Sequence, residues 1–213
     1  AAEPVLRTYM LSLIASGFVK TKDDLMAFFR QTFYGFVYGD DWSFELKIED
    51  LLMLLEKYGF ITNKDDQLRP TQIGKRISEL YLDPLDAWII MKGFKKVATK
   101  NEFSLAQLIS STSEMRPLLS VRKTDAEMVD DALVVNKDLI ITPIPKEWDW
   151  EYAYFLGSIK TALLFMEWMA EHSEEYLLET FNVRPGEIRS KLMTADWLLY
   201  ACSEIARLLD LED

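Results

Sequence analysis

Apolar residues recur with a helical period along nearly the whole chain, and the period breaks once, between Phe60 and Arg69. Phe60-Ile61, a polar Asn63-Lys64-Asp65-Asp66 turn and Gln67-Leu68-Arg69 read as two short strands, and nothing else in the sequence alternates in this way. Helices flank it on both sides. Those helices can be placed. Residues 4–16 put Val5, Leu6, Tyr9, Met10, Leu13 and Ile14 on one face, with Pro4 in the first turn and Gly17 as the stop. Thr21, followed by Asp23 and Asp24, caps a second helix whose Leu25, Phe28, Phe29 and Phe33 share a core face. A loop with Gly35, Gly39 and Asp40-Asp41 follows. Ser43 then caps a third helix carrying Ile48, Leu51, Leu52 and Leu55, which ends at Gly59. Thr71 caps the helix after the hairpin. Three helices and a β-wing make a winged helix, here residues 1–83.

Asp83-Pro84 opens the second part, since aspartate can cap a helix whose first residue is proline. Helices are expected at 84–99, 104–112, 125–136, 149–172, 174–181 and 186–209, with Pro117 and Pro143-Ile144-Pro145 as breakers. The fold class is therefore mainly all-α: a winged helix with a two-stranded wing, then a multi-helix bundle over 84–213. With no low-complexity linker between them, the two parts are expected to pack together.

Composition narrows the chemistry. No apolar run approaches the roughly 18 residues of a membrane span, and Ala1-Ala2-Glu3-Pro4 lacks the blocks of a signal peptide, so no membrane partner and a cytoplasmic location are expected. One cysteine, Cys202, and one histidine, His172, leave no ordinary ligand set for zinc, and no metal is predicted. The Asp40-Asp41 pair is read as solvated rather than as a cation site. His172, at the end of a long helix, is read as meeting the last carbonyls of that helix. There is no phosphate loop: Ile73-Gly74-Lys75-Arg76 lacks the upstream glycine and the following hydroxyl. No catalytic residue and no cofactor are assigned to this chain.

The net charge of −11 restricts any nucleic-acid site to a local patch. Helix three, the usual groove reader of a winged helix, carries Glu45, Lys47, Glu49, Asp50, Glu56 and Lys57, an acidic majority that disfavours duplex binding. Two patches remain. On helix 186–209 a core line through Ile188, Leu192, Ala195, Leu199, Cys202 and Ala206 leaves Arg189, Ser190, Met193, Trp197 and Tyr200 on the far side, with Trp197 about 180° from Ile188. An exposed indole beside a guanidinium can stack on an unpaired base, although a helix buried all round would explain the same pattern. On helix 84–99, Lys92, Lys96 and Lys100 recur every four residues with Lys95 beside them, a stripe that suits a phosphate backbone or an ordinary solvated face.

Four segments occur in a familiar order: Glu79-Leu80-Tyr81-Leu82-Asp83-Pro84-Leu85, Ser111-Thr112-Ser113-Glu114-Met115-Arg116-Pro117-Leu118, Pro185-Gly186-Glu187-Ile188-Arg189-Ser190 and Thr194-Ala195-Asp196-Trp197-Leu198-Leu199-Tyr200. With them the chain resembles, from Val5 to Leu209, the C-terminal half of the archaeal Hjm-type (Holliday-junction-migration) superfamily 2 DNA helicases. The resemblance implies a winged helix followed by a ratchet domain, the non-catalytic part of an ATP-dependent 3′–5′ helicase acting at stalled replication forks. It implies single-stranded or forked DNA and the parent's own RecA-like domains as partners, with ATP and Mg bound in those domains. It makes 186–209 the ratchet helix, puts the family's stacking tryptophan at Trp197 and its basic residue at Arg189 or Ser190. Neither the RecA-like domains nor the small C-terminal module of the family is present, so an excised portion or a standalone paralogue, inactive as a helicase alone, is expected. Two other readings compete: a winged-helix transcription regulator with a helical dimerisation domain, and a protein-interaction scaffold.

Overall fold

Thr21 accepts a hydrogen bond from the Asp24 N–H at 3.1 Å, and the Asp24 carboxylate accepts one from the Thr21 N–H at 3.1 Å, so the expected capping box starts the second helix. A computed structural model describes residues 3–38, 42–96 and 101–211. Its first elements are α1 (Glu3–Ala15), α2 (Lys22–Arg30), α3 (Phe33–Tyr38), α4 (Trp42–Lys57), β1 (Ile61–Lys64), β2 (Gln67–Pro70) and α5 (Gln72–Glu79). The strands pair antiparallel, Ile61 with Pro70 and Lys64 with Gln67, around an Asp65-Asp66 turn in which both residues have positive φ, 51° and 58°. That left-handed pair matches the twist of a two-residue hairpin, and aspartate tolerates it better than most side chains. Ile61 and Leu68 bury the inner face, and the Leu68 N–H donates to the Lys20 carbonyl at 2.8 Å. This is the wing of a winged helix. Replacing Thr21 by alanine removes one orphan N–H partner of α2 and is expected to cost about 1 kcal/mol in chemical denaturation.

Some details differ from the expectation. Phe33 does not extend the core face of α2; it is 82% exposed. The helix stops at Arg30, and the Thr32 hydroxyl, donating to the Phe29 carbonyl at 2.7 Å and accepting from the Gly35 N–H at 3.3 Å, starts α3 where a loop was expected. Gly39, Asp40 and Asp41 lie outside the described residues. Helix α4 begins at Trp42, so Ser43 falls inside its first turn rather than before it. On α1 the buried residues are Leu6, Arg7, Met10, Leu11 and Ile14, while Val5 and Tyr9 are exposed. The face turns because Arg7 is drawn inward: its guanidinium donates two bonds to the buried Asp83 carboxylate, at 2.7 and 2.8 Å. Asp83 also accepts from the Leu85 N–H at 2.8 Å, so it caps the following helix as expected.

The second group is α6 (Pro84–Phe94), α7 (Glu102–Ser110), α8 (Ala126–Asn136), α9 (Tyr152–Met169), α10 (Glu174–Phe181) and α11 (Pro185–Leu208). The chain divides into two compact units, 1–88 with 204–213 and 89–203. In the second, Leu119, Leu164, Leu177, Phe181, Val183 and Ile188 form one apolar core, the floor on which α11 lies. Polar groups tie the irregular segments to the helices. Gln107 donates to Thr142 at 2.9 Å and to Ser158 at 3.2 Å, and the buried Lys160 ammonium donates to Asp125 at 2.7 Å and to the Ser120 carbonyl at 3.1 Å. Burial pushes the Asp125 carboxyl up, but the bonds from Arg122 and Lys160 outweigh it and hold the group well below the usual carboxylate range. Among the described residues no helix is long and apolar enough to cross a membrane.

Candidate nucleic-acid interface

Helix α11 is placed by a buried strip of Ile188, Lys191, Ala195, Leu198, Cys202 and Ile205, spaced three and four residues apart. The strip is turned by roughly 60° from the line expected through Leu192, Leu199 and Ala206. Leu199 is 42% exposed, and Leu192 and Ala206 are half-buried. Lys191 causes the turn. Its stem packs in the core and its ammonium donates to the Pro117 carbonyl, so a residue that pattern reading counts as polar takes a core position. Burial lowers the Lys191 pKa, with Glu187 opposing weakly. Burial alone pushes the Cys202 thiol up to about 12, which leaves it unreactive at neutral pH.

The rotation decides which predicted residues come together. Arg189, Met193 and Tyr200 lie within about 40° of one another on the solvent side, where Met193 is 70% and Tyr200 53% exposed. Trp197 stands at the edge of this strip, about 120° rather than 180° from the centre of the buried face. It is half-buried and engaged by its neighbours, not a bare platform. Ser190 is exposed further round, and its carbonyl accepts from the Thr194 hydroxyl at 3.1 Å. Asp196 is exposed beside Tyr200, so the strip is amphipathic rather than basic.

Of the expected lysine stripe, Lys92, Lys95 and Lys96 are exposed, but they do not share one continuous helix. Helix α6 ends at Phe94, which leaves Lys92 on the helix but Lys96 in the turn after it, with its ammonium donating to the Thr142 carbonyl at 3.2 Å. Lys100 lies outside the described residues. Helix α4 is likewise committed inside its own unit: Arg30 pairs with Glu45, Lys22 with Glu49 and Lys47 with Glu3, while Glu56 accepts from the Asn63 N–H at 3.1 Å. Little charge on that helix remains for a duplex. The His172 Nδ1 lies 3.2 Å from the Glu167 carbonyl and 3.1 Å from its carboxylate, and the ring stacks on Tyr176 with centroids 4.6 Å apart. It serves the end of α9, as its position suggested. One aromatic went unremarked in the sequence: Trp168, in the last turn of α9, is 49% exposed and faces α11 across a groove. Its signal was weak, because a tryptophan in an apolar helix is ordinarily core.

Gly74 belongs to no phosphate site. A Cβ there would lie 1.9 Å from the Phe60 carbonyl oxygen, so glycine is required for α5 to cross the strand at close range. The Gly74 N–H is already used by the Thr71 side chain, which accepts it at 3.1 Å. The Gly74–Arg76 segment therefore does not form a phosphate loop, and among the described residues no three potential metal ligands cluster.

The profile of the family described as archaeal helicase, domain 4, matches residues 103–213, a stretch that runs from the second residue of α7 through α11. The chain belongs to this family. Similar proteins extend the likeness over the winged helix as well. The ATP-dependent DNA helicase Hel308 of Methanocella arvoryzae is 34% identical over 97% of this chain. That of Methanocaldococcus jannaschii is 34% identical over 97%, and that of Thermococcus kodakarensis 32% over 99%. The chain spans 28%, 16% and 19% of the lengths of these three relatives. The resemblance carried by the four sequence segments is thus to this archaeal helicase family, and α11 is a helix of its domain 4.

Proposed function

We propose that the chain is the winged-helix and ratchet part of an ATP-dependent DNA helicase: it grips one strand of single-stranded or forked DNA along α11 and supplies no chemistry itself. One observation carries the reading. A long helix, anchored on its inner side by a tight apolar strip and the Lys191 bond, presents a guanidinium, a thioether and two aromatic rings along its outer side. Unpaired bases stack on aromatic side chains at about 1–3 kcal/mol each, while cations hold the backbone, and a rigid helix keeps the stacking groups in register. Membership of a helicase family supports the same conclusion. On this reading ATP and Mg act in RecA-like domains of the parent, and the winged helix braces them.

The engaged charges of α4 count against a transcription regulator, since few remain for phosphates or base edges. Titration of labelled oligonucleotides into the chain at several salt concentrations tests the choice. Single strands should bind more tightly than duplex of the same sequence, with an affinity that falls as salt rises. Sequence-specific duplex binding tighter than single-strand binding would overturn the proposal. The highly purified chain should also show no DNA-stimulated ATP hydrolysis, and turnover above background would refute that expectation.

A further inference from the structure

We infer that the groove between the C-terminal end of α9 and the N-terminal half of α11 receives one unpaired base of the bound strand, with the Trp168 indole as its stacking platform. This rests on the reading of α11 as a single-strand grip. The groove encloses about 520 Å³, within the usual range for a small organic ligand, and Trp168, His172, Glu174, Arg189, Leu192 and Met193 line it. Trp168 also walls a smaller, more apolar groove of about 290 Å³ with Phe165 and Leu199, so its ring stands as a ridge between the two.

Three features select a base over other occupants. Arg189 and Met193 belong both to the groove and to the outer strip of α11, so a strand lying on that strip can turn one base inward without leaving the helix. The groove combines apolar walls with polar edges: Arg189 offers donors and Glu174 an acceptor, the pattern a heterocycle needs for its face and its rim. The Glu174 carboxylate, exposed on the groove wall, disfavours a phosphate inside the groove, which leaves the backbone outside near Arg189. The His172 side of the groove is already ordered, since His172 is held by Glu167 and stacked on Tyr176, so that ring loses little side-chain entropy on binding.

The test is a set of single strands carrying 2-aminopurine at each position in turn, titrated into wild type, Trp168→Ala and Trp168→Phe. Wild type should quench the probe most at one position. Trp168→Ala should lose that quench and bind roughly 5- to 150-fold more weakly, while Trp168→Phe keeps most of both. An abasic site at that position should weaken wild type by a similar factor and leave Trp168→Ala unaffected. If Trp168→Ala, folded by circular dichroism, quenches and binds as wild type does while Trp197→Ala loses affinity, the groove assignment is wrong and the α11 grip stands. If wild type binds no single strand, both fail. The abasic scan on wild type and the Trp168→Phe variant need no truncated side chain, so poor folding of Trp168→Ala cannot shield the inference: an abasic scan flat at every position overturns it.

Discussion

Asp125→Ala is expected to destabilise the unit 89–203 by about 3–5 kcal/mol, the usual cost of leaving a buried charge without its partner. The carboxylate accepts from the Lys160 ammonium at 2.7 Å and from the Arg122 backbone N–H at 2.8 Å. It also accepts from the Arg122 guanidinium, at 3.1 and 3.2 Å. Arg122 can turn to water, being exposed, but Lys160 cannot: it sits on the buried side of α9, and among the described residues its other acceptor is the Ser120 carbonyl at 3.1 Å. Removing both charges should therefore hurt less than removing one, and Asp125→Leu combined with Lys160→Met should recover much of the loss. The pH dependence follows from the sign of the shift. The folded carboxyl has a pKa below its unfolded value, so its contribution is fully present above the unfolded pKa near 4 and is lost as pH falls through the folded value. Stability from this group should be flat between pH 7 and about 5. Urea melts of wild type and the two variants at pH 7 and pH 3 would measure it; a loss under about 1 kcal/mol for Asp125→Ala at pH 7 would mean that Lys160 finds another partner.

The helix positions were legible because caps and apolar spacing agreed with each other. Helix α10 occupies 174–181 as expected, with Ser173 at its N-cap, and α11 runs one residue ahead of its predicted span at each end. The wing was legible from a single change of period, and only its turn was narrower than the Asn63–Asp66 stretch suggested. What the sequence could not convey was the rotation of two helices about their own axes. On α1 the buried face shifted toward Arg7, and on α11 toward Lys191. The cause is the same in both. A long cation placed its stem in the core because an oxygen from a distant segment met its head: Asp83, 76 residues from Arg7, and the Pro117 carbonyl, 74 residues from Lys191. Periodicity counts such a residue as polar and turns the helix away from it, because the partner is invisible at the scale of one helix. The short α3 was missed for another reason: six residues containing a glycine carry too few turns for a period to show.

The rotation of α11 bears directly on the candidate grip, for it moves Trp197 from the far side of the helix to its margin. Trp197→Ala is expected to weaken single-strand affinity by about 1–3 kcal/mol, the loss of one stacked base. A fall in melting temperature should accompany it, since most of the residue is covered, yet the fall should stay short of the roughly 3–5 kcal/mol that truncating a fully buried tryptophan costs. Affinity must accordingly be expressed per folded molecule, with the folded fraction taken from a melt on the same preparation. Arg189→Ala should act in the same direction. Ser190→Ala, further round the helix, should change little, and a larger effect at Ser190 than at Arg189 would shift the contact to the neighbouring register. Charge reversal at Lys92 and Lys96 should lower the salt dependence more than the affinity at low salt, because isolated lysine–phosphate contacts are weak and screened. In a full-length relative the change equivalent to Trp197→Ala should leave ATP hydrolysis running while strand displacement fails, since the motor would cycle without holding its strand between steps. A strongly lowered melting temperature with unchanged single-strand affinity per folded molecule would make Trp197 a core residue and move the grip to the Arg189, Met193 and Trp168 side of the helix.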